Sequence, residues 1–385
     1  MLNYSFVQNI KALYGVGTCA QVADVMKEGG YTNAFIVCDQ GVKAAGIADK
    51  VTASLDAAGL KYTIFDKVVP DPPDDMIAEG SAACKEAGSD CVIGVGGGST
   101  IDTAKAVNLM RFNPPPILRY ADPSVPTVRA LGLITIPTTA GTGSELSNGI
   151  VITDSKTHAK VPILGPDAMS EYCIIDPELM VGMPPTLTMY TGLDVMAHAV
   201  ESYTTVIGDL LKNQISEKII EIAYKWLPVA VHDGSNIEAR SYMAIASSLG
   251  GFMLAQAGTN AGHTLAHVLG SLCNVPHGAG CAIADPYVLE FNAVAIPEKT
   301  KKIGEIMGAT FTGNETPEEI GAITRDAFIK FRDVDLGLKP VAEFNIDKNM
   351  IDEIADTADG DVFVQINPRP MTRDDIKSIV EKMLA

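Results

Sequence analysis

A short segment, Cys91-Val-Ile-Gly-Val-Gly-Gly-Gly-Ser-Thr-Ile-Asp-Thr-Ala-Lys105, passes from an apolar strand through three glycines into a run with helical spacing. Glycines let the backbone turn tightly and approach a phosphate closely. We expect Ser99 or Thr100 to cap the helix, whose N-terminal N–H groups attract an anion. The segment matches neither GxGxxG nor the P-loop pattern. A glycine-rich turn without a ligand therefore remains the alternative.

The chain before and after this segment alternates apolar runs with helix-like segments. The apolar runs are 34–38, 61–65, 90–95 and 131–136, and two further β-rich runs are 150–153 and 173–175. Near-continuous apolar strands that alternate with helices are typical of a parallel sheet covered on both faces. The sequence therefore predicts an α/β domain over residues 1–183.

The pattern changes after Pro184-Pro185 and becomes helical almost to the end of the chain. Apolar residues recur there at i, i+3 and i+4, as in amphipathic helices. The predicted helices are 186–204, 210–231, 236–258, 260–273, 296–308, 315–332 and 371–384. Residues 184–385 are therefore predicted to form an all-α domain.

Composition excludes several classes of protein. The 385 residues carry 29 Lys and Arg against 47 Asp and Glu, a formal net charge of −18. Because the basic residues are scattered, a nucleic-acid partner is not expected. No uncharged apolar run reaches the roughly 18 residues of a membrane span, and no leader pattern is recognised, so we expect a cytoplasmic protein without a membrane partner. The seven cysteines form no CxxC pair, which favours reduced, mostly buried thiols.

A second loop supports dinucleotide binding. Pro137-Thr-Thr-Ala-Gly-Thr-Gly-Ser-Glu145 also follows an apolar strand, and two such loops at strand C-termini suggest a dinucleotide laid across that edge. Asp39 ends the first strongly apolar strand. Its carboxylate could bind both adenosine ribose hydroxyls and repel a 2′-phosphate, favouring NAD over NADP. A helix N-cap is an equally good interpretation of Asp39.

Two polar pairs at helical spacing predict a metal site. Asp194 and His198 stand at i and i+4, His263 and His267 repeat that spacing, and His277 follows. A carboxylate with two or three imidazoles suits a divalent ion such as Fe²⁺ or Zn²⁺, not Ca²⁺ or Mg²⁺. Such pairs are also common on exposed helices without a ligand. The apolar neighbours favour the metal site, because unpaired ionisable groups are costly to bury.

Four motifs together resemble the iron-containing (group III) alcohol dehydrogenases, and in particular their lactaldehyde reductase and 1,3-propanediol dehydrogenase branch. They are the segments 96–105 and 137–145, Gly192-Leu-Asp-Val-Met-Ala-His-Ala-Val-Glu201, and the spacing His263-x3-His267-x9-His277. The resemblance covers nearly the whole chain. It implies a Rossmann-like α/β domain and an all-α domain in a dehydroquinate synthase-like architecture, and a homodimer or larger homo-oligomer.

The resemblance also implies residue roles. Asp194, His198, His263 and His277 would bind the metal, with Fe²⁺ first and Zn²⁺ or another divalent ion as alternatives, and His267 would relay a proton. NAD would be bound by residues of the first domain. Among them Gly97, Gly98 and Ser99 would hold the pyrophosphate, Thr138 and Thr139 the adenine side, Asp39 the adenosine ribose and Lys160 the nicotinamide ribose. Further cofactor contacts are expected from Gly96, Asp102, Thr142 and Leu179.

Three functions compete. The resemblance implies an NAD-linked, metal-dependent oxidoreductase that interconverts small primary alcohols or diols and aldehydes. The alternative is a phosphate-eliminating lyase of the dehydroquinate synthase-like group, which also uses NAD and a metal. That lyase would need several Lys or Arg side chains around the metal, and the helices that carry Asp194 to His277 are poor in them near the ligands. A non-enzymatic binding protein fits a complete ligand set and phosphate loop least well.

Overall fold

The computed structural model describes residues 7–385. Residues 1–6 of the predicted first domain lie outside the described residues. The chain folds into two compact units, and it passes from one to the other between Met183 and Pro184. Each unit is built around its own set of elements.

The N-terminal unit combines strands with covering helices. Its strands are β1 (Lys11–Tyr14), β2 (Asn33–Asp39), β3 (Lys61–Val68), β4 (Cys91–Gly96), β5 (Leu133–Pro137), β6 (Gly149–Thr153), β7 (Lys160–Leu164) and β8 (Tyr172–Ile175). Its helices are α1 (Val22–Glu28), α2 (Gln40–Ala44), α3 (Ile47–Ala57), α4 (Asp74–Glu86) and α5 (Gly98–Met110). Six strands pair in parallel in the order β1-β8-β5-β4-β2-β3, and β6 and β7 form a separate antiparallel pair.

Both faces of the sheet are buried, which explains the continuous apolar strands. In β2, Ile36 and Cys38 pack into the apolar cluster that contains residues of α1 and α3. Phe35 and Val37 pack into the opposite cluster, with residues of α4, α5 and β6. Alternate side chains of one strand therefore serve two cores. The predicted parallel α/β architecture is confirmed.

Two strands lack the signal that predicted the others. β1, with the sequence Lys-Ala-Leu-Tyr, is an edge strand with largely exposed side chains. β7 contains Pro162, which disfavours a strand interior, and only Ile163 of its five residues is buried. The run 150–153 does form a strand, but it pairs with β7 and lies outside the parallel sheet. Apolar continuity is clearest in the central strands of the sheet, such as β4, which is buried at every position.

In the C-terminal unit, residues 184–385 form helices joined by loops, with no strand. Its helices are α6 (Pro185–Thr204), α7 (Leu210–His232), α8 (Ile237–Ala257), α9 (Ala261–Cys273), α10 (His277–Asn292), α11 (Pro297–Ile306), α12 (Pro317–Lys330), α13 (Ile351–Ala358) and α14 (Arg373–Met383). The predicted all-α class is confirmed, whereas α10 and α13 were not predicted. Gly278, Gly280 and Pro286 explain the first omission, since both residue types disfavour helices. No helix of the described chain is long and apolar enough to cross a bilayer.

Helix α6 is the centre of this unit. Every residue from Gly192 to Thr204 is buried, because α7, α8 and α10 all pack against it. The approach of α10 is especially close. A methyl group on Gly278 would lie 1.8 Å from the carbonyl oxygen of Tyr190 in α6, so only glycine fits there. This close packing brings the start of α10 beside Asp194.

Candidate metal centre and glycine-rich loop

Three helices of the C-terminal unit bring the predicted metal ligands together. Asp194 and His198 lie one turn apart on α6, His263 is near the start of α9, and His277 begins α10. The Oδ1 atom of Asp194 lies 3.6 Å from His198 Nε2, 3.8 Å from His263 Nε2 and 3.4 Å from His277 Nε2. Asp194, His198 and His263 are buried, while His277 is half-buried.

Two of these converging atoms lack the hydrogen bonds that buried polar groups normally make. Asp194 Oδ1 and His263 Nε2 are buried without a hydrogen-bond partner, and so is Nδ1 of His198, the ring nitrogen that does not make the 3.6 Å contact with Asp194. Such groups cost free energy unless something else satisfies them. Two ligands each about 2.1 Å from a tetrahedral ion lie about 3.4 Å apart, which matches the separation of Asp194 from His277. The residues therefore fit a divalent cation.

The protonation states also suit a cation. Burial lowers the pKa of His198 to about 4, and burial together with His277 lowers the pKa of His263 to about 3. Both imidazoles are therefore neutral near pH 7, which is the form that binds metals. Burial opposes ionisation of Asp194, but the imidazoles of His198 and His277 outweigh it and lower the pKa of this carboxyl below its usual range. The site offers neutral nitrogens around a carboxylate.

Glu201 contacts the imidazole of His263 at Nδ1, the ring nitrogen that does not face Asp194. Its Oε1 lies 2.5 Å from Nδ1 of His263, and its Oε2 accepts hydrogen bonds from the backbone N–H groups of Asn260 (2.6 Å) and His263 (3.2 Å). The contact to Nδ1 leaves Nε2 free to face Asp194. A methyl group on Gly262 would lie 2.0 Å from Asp285 Oδ1 and 2.8 Å from Glu201 Oε1, so the two carboxyls lie side by side. Burial, and then the charge of Glu201, raise the pKa of Asp285.

His267 lies next to the ligand cluster. It is half-buried, one turn beyond His263 on α9, and its ring stacks on that of His277 with centroids 5.1 Å apart. The ring centroid of His263 is 6.0 Å away, in an edge-on arrangement. This position is compatible with the predicted proton relay, and the role itself stays a prediction.

Three residues of this site had no role in the sequence predictions. Glu201 is the last residue of the motif that begins at Gly192. It follows Asp194 by seven residues, a helical spacing that puts both side chains on the same face of α6. Cys281 follows His277 at i+4 on α10, and its Sγ is 3.8 Å from His277 Nε2. It was included among the buried thiols, and all seven cysteines are indeed free. Asp285 lies one further turn along α10, a helix that was not predicted.

The glycine-rich loop joins β4 to α5 in the N-terminal unit. Gly97 is the N-cap, and no side chain caps the helix. Ser99 and Thr100 lie inside the first turn, so the prediction that one of them is the cap is wrong. The physical reason is that α5 begins directly after the turn, at Gly98. The first N–H groups of α5 are consequently left without a side-chain cap, as an anion site requires.

The second predicted loop packs directly on the first. The backbone N–H of Thr138 donates to the carbonyl of Gly96 at 3.0 Å. A methyl group on Gly97 would lie 3.2 Å from Thr139 Oγ1, and one on Gly98 would lie 2.7 Å from Thr142 Cγ2. The structure thus brings the predicted threonines beside the glycines. It also gives the glycines a packing role independent of any ligand.

Asp102 and Asp39 both have structural partners. Asp102 Oδ1 accepts from Ser144 Oγ at 2.5 Å and Oδ2 accepts from the backbone N–H of Val151 at 2.8 Å. Asp39 Oδ1 accepts from the backbone N–H of Val42 at 2.8 Å, which makes Asp39 the N-cap of α2. Of the two interpretations of Asp39, the N-cap is therefore realised. Thr100 Oγ1, 3.3 Å from Asp39 Oδ2, links this carboxylate to the helix after the glycine-rich loop.

The other two predicted cofactor residues lie elsewhere in the unit. Lys160 begins β7, is exposed, and pairs with Asp71 at 2.8 Å. Leu179 is buried in the apolar cluster that also contains Val95 and Ile136. Their roles in cofactor binding stay predictions.

Comparison with known proteins assigns the family. Residues 9–177 match the family described as iron-containing alcohol dehydrogenase, and residues 188–384 match the C-terminal region of the Fe-containing alcohol dehydrogenase family. The chain belongs to the iron-containing alcohol dehydrogenases. The predicted family and enzyme class, an alcohol dehydrogenase or aldehyde reductase of the iron type, are confirmed.

Relatives match this member of the family over nearly its full length. It is 34% identical over 383 residues to the lactaldehyde reductase of Escherichia coli (strain K12), covering 96% of this chain and 97% of that protein. It is 32% identical over 375 residues to the NAD-dependent methanol dehydrogenase of Bacillus methanolicus, covering 97% and 98%. A crystal structure of 1,3-propanediol oxidoreductase superposes with a TM-score of 0.93 at 29% identity, covering 99% of this chain and 100% of that one.

Proposed function

We propose that this protein interconverts small primary alcohols or diols and the corresponding aldehydes, with NAD as hydride carrier and a bound divalent metal. One observation carries the proposal: Asp194 Oδ1 and His263 Nε2 converge, buried and without hydrogen-bond partners, in a chain of the iron-containing alcohol dehydrogenase family. The names of the relatives, a lactaldehyde reductase and an NAD-dependent methanol dehydrogenase, support short substrates and NAD.

The metal would be held by Asp194, His198, His263 and His277, with Fe²⁺ as the first candidate and Zn²⁺ or another divalent ion as alternatives. A divalent ion bound there supplies Lewis-acid chemistry, which eases loss of an alcohol proton and polarises an aldehyde carbonyl. The protein contributes neutral imidazoles, a charged carboxylate and a water-poor surrounding of buried helices. Glu201 fixes the orientation of His263.

His267 would move the proton. It is half-buried beside the ligand cluster, and imidazole titrates within the working pH range of most enzymes. In the oxidising direction its ring would accept the hydroxyl proton and pass it to solvent. In the reducing direction the same ring would donate a proton to the product oxygen.

NAD would be bound by the N-terminal unit, which we propose as the dinucleotide-binding domain. The uncapped start of α5 attracts the pyrophosphate, and Gly97 and Gly98 admit it closely. Thr138 and Thr139 would line the adenine side. Asp39 would accept from the adenosine ribose in addition to its capping bond, because a carboxylate has about four acceptor positions. Residues 184–385 would then form the metal-binding domain.

The lyase alternative is less well supported. After burial, the groups that shift the pKa values of Asp194, His198 and His263 are imidazoles and a carboxylate, with no Lys or Arg among them. A phosphorylated, carboxylated substrate would require several such cations beside the metal. The relatives named above are dehydrogenases and reductases. Alcohol–aldehyde interconversion is therefore the better supported reaction.

A substrate panel tests the proposal. The protein is loaded with Fe²⁺ under anaerobic conditions, the bound metal is quantified, and NADH formation is followed with methanol, 1-propanol, 1,2-propanediol and 1,3-propanediol. We expect turnover on at least one short alcohol and none with Asp194→Ala. Absence of turnover on every alcohol and in reduction of the matching aldehydes, with metal verified as bound, would exclude the proposed function.

The oligomeric state and the cellular location of the protein stay predictions. A homodimer or larger homo-oligomer and a cytoplasmic location are expected from the sequence, and sedimentation together with cell fractionation would test them.

A further inference from the structure

We propose that Cys281 is a further ligand of the metal centre, so that this chain offers a sulfur donor beside its nitrogen and oxygen donors. The inference rests on the proposed function, because it assumes that the centre binds a metal. It adds a residue to the ligand set that the four sequence motifs imply.

The position of Cys281 on α10 carries the inference. It follows His277 by four residues, so the two side chains lie on the same face of the helix. One donor atom each from Asp194, His263, His277 and Cys281 can be chosen so that all four lie within 4.8 Å of one another. This compact set contains Cys281 and does not contain His198.

Two other atoms of the set independently require a ligand. Asp194 Oδ1 and His263 Nε2 are buried without hydrogen-bond partners, and their residues are each about 4% exposed. The thiol of Cys281 therefore borders an unsatisfied polar site. Its Sγ lies 3.8 Å from His277 Nε2, a third donor atom of the same set.

Small residues on the neighbouring helices let the thiol come this close. Cys281 is fully buried in a cluster with Ala197 of α6 and Ala266 of α9. Ala197 directly precedes His198, and Ala266 directly precedes His267. Larger side chains at these two positions would occupy the space between the helices. This packing places the sulfur against the turns of α6 and α9 that carry His198 and His267.

A thiolate changes what the site selects. Thiolate is a soft ligand that Zn²⁺, Co²⁺ and Fe²⁺ accept, whereas Mg²⁺ and Mn²⁺ prefer oxygen donors. When the sulfur binds, the S–H bond breaks, a metal–sulfur bond forms, and the proton leaves to solvent. With Cys281 as a ligand, the centre would discriminate against Mn²⁺ more strongly than a centre made of imidazoles and a carboxylate.

Cobalt substitution tests the inference on the full chain. The metal-free protein is titrated with Co²⁺ under anaerobic, reducing conditions. Visible d–d absorption reports occupancy of the centre, and near-ultraviolet sulfur-to-cobalt charge transfer reports a thiolate ligand. We expect both bands in the unmodified protein. Cys281→Ser should lose the charge-transfer band, and Cys273→Ser, a matched change at a half-buried cysteine in the same unit, should retain it.

X-ray absorption of the zinc-loaded, unmodified protein provides a second measurement that needs no variant. A sulfur ligand gives a scattering shell at about 2.3 Å, and nitrogen or oxygen ligands give shells at about 2.0–2.2 Å. Bound Co²⁺ without charge transfer, or bound zinc without the sulfur shell, would overturn the role of Cys281 and leave the metal centre intact. Failure of both ions to bind at one per chain would overturn the inference and the proposed metal centre together.

Discussion

Glu201 Oε1 lies 2.5 Å from Nδ1 of His263, and the other imidazole nitrogen, Nε2, lies 3.8 Å from Asp194 Oδ1. Glu201, on α6, thus fixes the orientation of the His263 ring on α9 and with it the direction in which Nε2 points. Outer partners of this kind typically change metal affinity by about 10–100-fold when they are removed. We therefore expect Glu201→Ala to weaken metal binding by about that factor, measured by competition with a chelator.

Two controls separate positioning from general loss of structure. Glu201→Gln keeps an acceptor for the Nδ1 proton and should weaken binding less than Glu201→Ala. Glu217→Ala removes a different carboxylate of the same unit, one that accepts a hydrogen bond from Tyr203, and should leave metal affinity unchanged. Equal affinity in Glu201→Ala and the unmodified protein would show that His263 needs no such support.

Asp39 is predicted to combine two roles that substitution can separate. Asparagine keeps N-capping but removes the charge, whereas alanine removes both. We expect Asp39→Asn to raise kcat/KM with NADP⁺ relative to NAD⁺ at little cost in stability. Asp39→Ala should shift the cofactor ratio similarly and also lower the free energy of unfolding by about 0.5–2 kcal/mol. If the unmodified protein already uses NADP⁺ as well as NAD⁺, Asp39 does not hold the adenosine ribose.

Lys105 predicts a pH-dependent contribution to stability. It is buried in α5, and its Nζ donates to the carbonyl oxygens of Ser147 (3.0 Å) and Gly149 (2.8 Å). Burial lowers its pKa to about 8, although the charges of Asp102 and Glu145 act in the opposite direction. Between about pH 8 and 10.5 the unfolded chain therefore binds a proton that the folded chain lacks. Stability from this group rises with pH over that window and is lost as pH falls through about 8.

The measurement compares urea unfolding of the unmodified protein with that of Lys105→Met. The difference in free energy of unfolding should grow in favour of the unmodified protein by up to about 1.4 kcal/mol per pH unit between pH 8 and 10.5. Lys85→Met, the same change at an exposed site of α4, is the matched control variant. A difference for Lys105→Met that stays constant across this pH range would mean that the Lys105 ammonium is not perturbed by burial.

His267 is expected to shape the pH profile of turnover. If its imidazole relays the proton, His267→Ala should lower kcat by about 10²–10⁴-fold and remove the limb of the kcat profile that this group produces. Metal content and NAD binding should be retained, because His267 is not among the proposed ligands of either. An unchanged pH profile in the variant would assign the proton transfer to water or another group.

The sequence predicted those features that depend on local spacing. Asp194 and His198 share a helix, as do His263 and His267, so their i, i+4 spacing was sufficient. The partnership of Glu201 with His263 depends on how α9 packs against α6, which no local pattern contains. Cys281 was also hidden, because glycines and a proline in α10 concealed the helix that aligns it with His277. Ser99 or Thr100 was predicted to be the cap from residue type, although the N-cap is Gly97 and the helix has already begun at Gly98.

A similar contrast holds for the strands of the N-terminal unit. Central strands such as β4 are buried at every position, and their apolar runs predicted them. The edge strand β1 is short and largely exposed, and the hairpin strand β7 is interrupted by Pro162, so neither sequence gives as clear a strand pattern. Burial on two faces is therefore what made most of the sheet predictable.

Anaerobic titration of the metal-free protein with Fe²⁺, with bound metal and NAD-linked alcohol turnover measured at each step, tests the central claim most directly. Turnover should rise in proportion to bound Fe²⁺ and reach its maximum at one ion per chain. Asp194→Ala should show neither binding nor turnover while it still binds NAD. Full turnover by the metal-free protein, or none at full occupancy on any substrate of the panel, would contradict a metal-dependent alcohol dehydrogenase.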